Sequence, residues 1–296
     1  MQPLRGLKVL DLTRALAGPF CTMILGDLGA RVDKVEPAGT GDMSRTWGPF
    51  DRGESTYFLC ANRNKRSLAL DFRKPQANDL LRRMVLQADI VVENFRPGVM
   101  QRMGLSFEDL RRDNPRLICI GLSGFGSRGP YSDRAGFDQI AQGMSGLMSV
   151  TGPGDSAGYR VGIAVGDVVA GMWATIGALA AVQARERTGE GAVVETSLLR
   201  GLLSIMGVQG QRYLSLHETG RASGNSHPTI APYGTYDCSD GPINLAPATA
   251  SMWSALCRVL DLHDLAQDPA FADNASRVAN RAALDARIAE RLRTIT

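Results

Sequence analysis

Asp167 is the residue in this chain whose setting most invites chemistry. It follows a small apolar run, Val161 to Gly166 (VGIAVG), and precedes an apolar helical pattern, VVAGMWATIGALAAVQ. An aspartate there has an ordinary use as the N-cap of the following helix, and that use is the commoner one. It also has a chemical use. An apolar setting raises the free energy and nucleophilicity of a carboxylate, while the helix N-terminus helps keep it ionised. Such a group can attack a thioester carbonyl and carry a covalent intermediate.

Other residue types could bind an anion. Basic residues gather at Arg63, Lys65, Arg66 and Arg73, and again at Arg96 and Arg102. On charge alone they read as a solvated face. Phe72 beside Arg73, and Phe95 beside Arg96, add flat apolar surface next to cations, the combination that suits an adenine with nearby phosphates. Gly124, Gly126 and Gly129 spell G-x-G-x-x-G after a strand pattern, but the dinucleotide fingerprint needs a helix to open at once. Pro130, Tyr131 and Ser132 follow instead. Glu36 ends a second strand, as a ribose-binding acid would, yet Thr13 to Pro19 lacks the three glycines. The glycines at 124–129 are therefore read as a loop that approaches a ligand closely, not as a nicotinamide site. His217, His227 and His263 are not spaced for a metal and pair with no Ser or Cys motif, so neither a metal site nor a catalytic histidine is assigned. Cys21, Cys60, Cys119, Cys238 and Cys257 show no CxxC spacing, which argues against a disulfide framework and a structural zinc.

The elements that must position these groups alternate. Leu7 to Leu12, Arg31 to Glu36, Ser67 to Asp71, Asp89 to Glu93 and Leu117 to Leu122 read as strands, with helices from Pro19 to Leu28 and from Pro75. This order implies βαβ units and a mostly parallel sheet covered on both faces, an α/β fold. Two longer helical stretches follow, near 137–150 and 168–187, the second apolar enough to be buried nearly all round. Val193 to Thr196 reads as a strand and Leu198 to Leu216 as one helix. Residues 219–232 are rich in Gly, Ser, Asn and Pro, and short strands are expected at 233–237 and 242–246. A boundary near residue 220 divides a large domain, 1–220, from a small α+β domain, 221–296. With 296 residues, 44% of them hydrophobic, and a net charge of +3, the chain is ordinary globular material, too weakly charged to argue for nucleic acid. No signal-peptide pattern is found and no apolar stretch is read as long enough to span a bilayer, so a cytoplasmic protein is expected.

Eight segments in order carry a resemblance over essentially the whole chain: LDLTRALAGPFCTMILGDLGARVDKVE (10–36), GDMSRTWGP (41–49), NRNKRSLALD (62–71), ADIVVENFRPGVMQRMGL (88–105), SGFGSRGP (123–130), AGFDQIAQGMSGLMSVTG (135–152), VGDVVAGMWATIGALAA (165–181) and GNSHPTIAPYGTY (224–236). Together they resemble the class III CoA-transferase family, whose members include formyl-CoA and carnitine-CoA transferases. The resemblance implies a Rossmann-like large domain and a smaller domain, with two chains interlocked as linked rings in a homodimer. It implies coenzyme A and acyl-CoA as substrates, with no tightly bound cofactor, and a small carboxylic acid as the second substrate. It puts the catalytic aspartate on Asp167 and the CoA contacts on Ala15, Leu16, Phe72, Arg73, Asn94, Phe95, Arg102 and Met103. Gly124 and Gly126 would lie near the thioester. The mechanism implied is ping-pong through an aspartyl-acyl anhydride and an aspartyl-CoA thioester. Backbone N–H groups at the start of the Asp167 helix would steady the oxyanion.

Three departures shape these expectations. Pro37 and Ala135 stand where some members carry basic residues, which leaves more of the phosphate charge to Arg73 and Arg102. No tetraglycine lid is found, so the resemblance does not point to oxalate, although Trp47 stands where such a lid packs. The sequence stops at 293–296 inside a helical pattern where the family continues, so a C-terminal part is expected to be missing. Two other functions remain open. One is an α-methylacyl-CoA racemase, which needs a His where this chain has Phe137. The other is a non-catalytic CoA-binding subunit. Residues 152–164 and 224–233 are expected to shape the acyl pocket. Arg160 there could pair with a distal carboxylate, favouring a dicarboxylate such as succinate.

Overall fold

The computed structural model describes residues 1–154 and 156–296. The backbone forms two compact units, residues 1–148 with 160–219, and residues 149–159 with 220–296. One division between the units falls between Thr219 and Gly220, and residues 149–159 group with the second unit. There the Gly224 N–H donates to the Gly152 carbonyl at 2.8 Å. Asp155, within the stretch expected to shape the acyl pocket, lies outside the described residues.

The first unit begins with β1 (Lys8–Asp11), α1 (Ala17–Asp27) and β2 (Arg31–Pro37). A small hairpin of β3 (Phe50–Asp51) and β4 (Glu54–Ser55) leads into α2 (Thr56–Asn62), then β5 (Lys65–Leu70), α3 (Pro75–Leu86) and β6 (Ile90–Glu93). Next come α4 (Val99–Arg102), α5 (Phe107–Asp113), β7 (Ile118–Ser123) and α6 (Asp138–Met144). The unit closes with α7 (Val165–Thr188), β8 (Val193–Ser197), α8 (Leu198–Ile205) and α9 (Gly207–Leu216). Six strands pair in the order β5-β2-β1-β6-β7-β8, all parallel. This is the doubly wound order, with its reversal between β1 and β6. Side chains alternate between two cores. Val9, Ile90 and Ile120 pack with α1 and α7, while Leu10, Val91 and Cys119 pack with Leu81 of α3 and Leu110 of α5. Burial on both faces explains why the strands read as near-continuous apolar runs.

Three helices differ from expectation. The stretch 137–150 holds only α6 and a 3-10 turn at Met148–Val150, interrupted where Gly146 takes φ +81°. The stretch 198–216 is two helices, broken where Gly207 takes φ +47°. Helix α7 is not buried all round: Ala170, Ala174 and Ala178 are buried, while Met172, Trp173 and Ile176 are between 44% and 51% exposed. At 24 residues α7 is also long and apolar enough to cross a membrane by length and composition, which corrects the reading that no stretch is. Its small-residue face packs closely on α1. A Cβ at Gly171 would lie 2.7 Å from the Ala17 carbonyl oxygen.

The second unit contains β9 (Gly234–Asp237) and β10 (Pro242–Leu245), paired antiparallel. Helices α10 (Ala250–Val259), α11 (His263–Gln267), α12 (Asn274–Ala279) and α13 (Arg281–Leu292) follow. They pack Trp253, Leu265, Phe271, Leu284 and Ile288 into a core of their own.

Candidate active site

A cavity of about 960 Å³ opens in the first unit, lined by the loops that leave β1, β6 and β7 and by the start of α7. Ligands of doubly wound sheets bind at the carboxyl ends of the strands where the order reverses, and this cavity lies there. The loop after β1 is held in an uncommon shape, with Ala15 at φ +64°. Asn94, just past β6, clamps it from one side: its Oδ1 accepts from the Arg14 N–H at 2.8 Å and its Nδ2 donates to the Arg14 carbonyl at 2.9 Å. Asp42 Oδ1 accepts from the Ala15 N–H at 3.1 Å on the other side.

Beneath that loop lies a buried ion cluster. Lys65 Nζ sits 3.0 Å from Asp11 Oδ2, and Lys34 Nζ sits 2.9 Å from Asp42 Oδ2. Lys34 also donates to the Thr13 carbonyl at 2.7 Å. Asp11 is completely buried. Burial alone would raise its carboxyl, but the two lysines and hydrogen bonds from Thr13 and Thr22 hold it far below the usual range. Lys65, grouped in the sequence with candidate phosphate ligands, is therefore part of the internal support of the loop.

Asp167 has no such support. Ala164 is the N-cap of α7, so Asp167 falls in the first helical turn and makes no side-chain cap bond, which sets aside the capping role. It is half-buried on the cavity wall. Burial is the largest influence on its carboxyl and the negative Asp138 the next; together they push it up to about 7, against a hydrogen bond from the Ala17 N–H. That donor lies at the start of α1. A raised carboxyl alone does not mark the site. Burial also pushes Glu93 to about 7, but Glu93 is not part of the cavity lining and accepts from the Phe95 N–H at 2.8 Å.

Of the residues singled out in the sequence, Ala15, Leu16, Phe72, Asn94, Phe95, Arg102, Met103, Gly124 and Asp167 all line this cavity. Two do not. Arg73 is turned to solvent, its side chain 87% exposed and paired with Asp71. Gly126 faces the Arg200 guanidinium instead, with φ +97° and its N–H on Ser123 Oγ at 2.8 Å. Gly124 is required for another reason: a Cβ there would lie 2.4 Å from the Gly136 Cα. Arg63 and Arg66 pair with Asp27 and Asp33 at the surface. Arg96 does line the cavity.

Among the lining residues that sequence reasoning did not single out, Arg14, Arg134, Tyr57 and Asp138 bear on the chemistry. Arg14 lies over the Phe95 ring at 5.2 Å, and Arg134 lies over Tyr131 at 4.3 Å. Arg134 brings a cation to the cavity beside Ala135, which stands where some family members carry a basic residue. Tyr57 packs edge-on against Trp47 at 5.1 Å, and burial, then the Asp167 charge, raises its hydroxyl. Asp138 begins α6. Only the run GFDQ could have flagged it. Among the described residues, no group of three or more His, Cys, Asp or Glu is placed to hold a metal ion.

The cavity lining thus joins arginines and flat rings to the Asp167 carboxylate. A sequence model of CoA-transferase family III matches residues 4–296 of the chain. The chain belongs to CoA-transferase family III. The succinyl-CoA:glutarate CoA-transferase of Mus musculus is 40% identical to this family III chain, over 95% of this chain and 65% of its own length. The acetyl-CoA:oxalate CoA-transferase of Acetobacter aceti is 41% identical, over 98% of this chain and 75% of its own. The crystal structure of a CaiB/BaiF family protein from Brucella suis superposes with a TM-score of 0.88 at 41% identity, over 99% of this chain and 79% of that one. The family III chain thus spans about two thirds to three quarters of the length of these curated relatives.

Proposed function

We propose that this protein is a CoA-transferase that moves CoA from an acyl-CoA thioester to a free carboxylic acid, with Asp167 as the covalent carboxylate. One observation carries the reading: Asp167 lines the cavity, is largely desolvated beside the negative Asp138, and is thereby held up to about 7. Family membership and relatives named as CoA-transferases support the same reading.

The chemistry balances without a proton carrier. An Asp167 carboxylate oxygen attacks the thioester carbonyl carbon, the C–S bond breaks, and CoA leaves as the thiolate, giving a mixed anhydride. The thiolate then attacks Asp167 Cγ, releasing the donor acid as its carboxylate and leaving an aspartyl-CoA thioester. The acceptor carboxylate attacks that Cγ and expels the thiolate, and the thiolate takes the acceptor's acyl carbon, freeing Asp167. Each step exchanges carboxylate for thiolate, so no histidine is needed. Phe137 lines the cavity where a racemase would require a proton-bearing ring. The Ala17 N–H is placed to bear charge that grows on the Asp167 acyl oxygen. Both intermediates hydrolyse in water, which a recessed site resists.

Arg14, Arg96, Arg102 and Arg134 supply cations for the CoA phosphates, and Phe72 and Phe95 supply flat surface for the adenine. Arg160 and Tyr57 line the cavity with Asp167, and this supports a dicarboxylate acid, succinate or a near homologue, as a substrate. We further propose a homodimer, interlocked as in the family, in the cytoplasm. Exposed apolar side chains on α7 (Trp173, Ile176) and α9 (Val208, Leu214) support the dimer.

The deciding experiment is hydroxylamine trapping after incubation with acyl-CoA. A hydroxamate on the Asp167 peptide is expected, and transfer without any label there overturns the covalent step. A panel of CoA donors against free acids then names the substrates.

A further inference from the structure

Asp138 is used at both of its oxygens. Oδ1 accepts from the Gly166 N–H at 2.8 Å, one residue before Asp167. Oδ2 accepts from Gln142 Nε2 at 2.7 Å. Gln142 is completely buried, and its amide orientation is fixed because Oε1 accepts from the Val161 N–H at 2.8 Å. The fit at Gly166 is close: a Cβ there would lie 3.0 Å from Asp138 Oδ1 and 3.2 Å from Leu202 Cδ1. One chain of hydrogen bonds therefore runs from the segment that carries Arg160, through Gln142 and Asp138, to the turn that carries Asp167.

We propose that Asp138 is a positioning residue for Asp167, clamping the first turn of α7 through Gly166 and tying the Arg160 segment to it through Gln142. The inference rests on Asp167 being the nucleophile. A carboxylate is required because both contacts are donors to it; an asparagine would face one of them with its own NH2. The Asp138 charge also opposes that of Asp167. Asp138 of α6, Tyr57 of α2 and the Ala17 N–H of α1 act on Asp167, and Arg160 ahead of α7 lines the same cavity and acts on Tyr57. Asp138 is the one that keeps the nucleophile basic by charge.

The test uses Asp138→Asn, the double variant Asp138→Asn with Gln142→Glu, and Gly166→Ala, each checked for wild-type thermal unfolding. Displacing a nucleophile by part of an ångström costs on the order of tenfold to a hundredfold in rate. Asp138→Asn is expected to lower kcat by about that factor, with KM for acyl-CoA nearly unchanged. Loss of the facing charge should also move the acid limb of the kcat/KM profile to lower pH. In the double variant, the amide introduced at position 138 donates to the carboxylate introduced at position 142 and still accepts from the Gly166 N–H. That carboxylate still accepts from the Val161 N–H. Most of the lost kcat should return. Gly166→Ala, which presses on the same contact, should lower kcat without moving KM.

An Asp138→Asn enzyme with wild-type kcat and an unmoved acid limb overturns the proposal. So does a well-folded double variant no faster than the single one. If Asp138→Asn does not fold, the double variant and Gly166→Ala decide alone. Failure of the underlying reading looks different: Asp167→Ala would then keep its activity, whatever position 138 does.

Discussion

Asp11 and Asp167 are carboxylates at the same end of the sheet, and the protein treats them in opposite ways. Asp11, at the end of β1, is buried among two lysines and two threonine hydroxyls that hold it ionised. Asp167, on the cavity wall, has a carboxylate neighbour and one backbone N–H. Desolvation raises both, so the partners decide the outcome. A buried charge kept for structure is compensated, because an unpaired one costs several kcal/mol. On the proposed function, Asp167 is a charge kept for bond formation and left uncompensated, since the same cost makes it reactive. The two sites are coupled through the loop at 13–16: the ion cluster shapes it, and it delivers the Ala17 N–H to Asp167.

Removing the proposed nucleophile should give the largest effect. Asp167→Ala should lower turnover by on the order of 10⁴-fold, as loss of a covalent group does, while CoA binding measured by calorimetry changes little. Loss of binding together with turnover would mean that Asp167 is a contact and not a nucleophile.

Removing one partner of the compensated member should act on stability instead. Lys65→Met leaves Asp11 with Lys34 alone, whose Nζ is 3.9 Å away. Breaking a buried pair costs about 3–5 kcal/mol, to be read as a lower urea midpoint at unchanged slope. A loss under about 1 kcal/mol would show the cluster to be solvated.

The pH dependence of stability separates the two by sign. The Asp11 carboxyl is depressed in the folded state, so its contribution is present above the ordinary value of 3.8 and is lost on acidification below it. The Asp167 carboxyl is raised from 3.8 to about 7. Its ionisation therefore costs nothing below 3.8, costs more as pH rises towards 7, and reaches a plateau above. Asp167→Asn should leave stability unchanged near pH 4 and raise it at about pH 8. We expect about 1–2 kcal/mol, less than the whole shift would give because the cavity admits solvent. Equal stability of variant and wild type on that alkaline side would show that Asp167 is not strained.

The same contrast explains how much could be read from the sequence. The sheet was legible because strands buried on both faces write continuous apolar runs, as in LKVLDL and LICIGL. Asp167 was legible as a polar residue among apolar ones. Its neighbour Asp138 was not, because a helix-initial aspartate looks the same whether it caps its own helix or clamps another. Lys65 misled for a related reason: a run of cations does not say which will turn inward. The break at Gly207 was hidden because one glycine within a helical pattern is usually tolerated.

The smallest effects concern the arginines, where inward and outward side chains are again the distinction. Arg102 lines the cavity, whereas the Arg73 guanidinium is 87% exposed and occupied by Asp71. A hydrogen bond to a charged phosphate contributes about 1.5–3 kcal/mol, so Arg102→Ala should raise KM for acyl-CoA about tenfold, more at low salt than at high salt. Arg73→Ala should change it less than about twofold, since an exposed ion pair contributes little. Measured side by side over a salt series, the two variants test whether the sheet-end cavity, and not the basic run read from the sequence, holds the phosphates. A larger effect at Arg73 would move the CoA site out of that cavity and take Asp167 out of reach of the thioester.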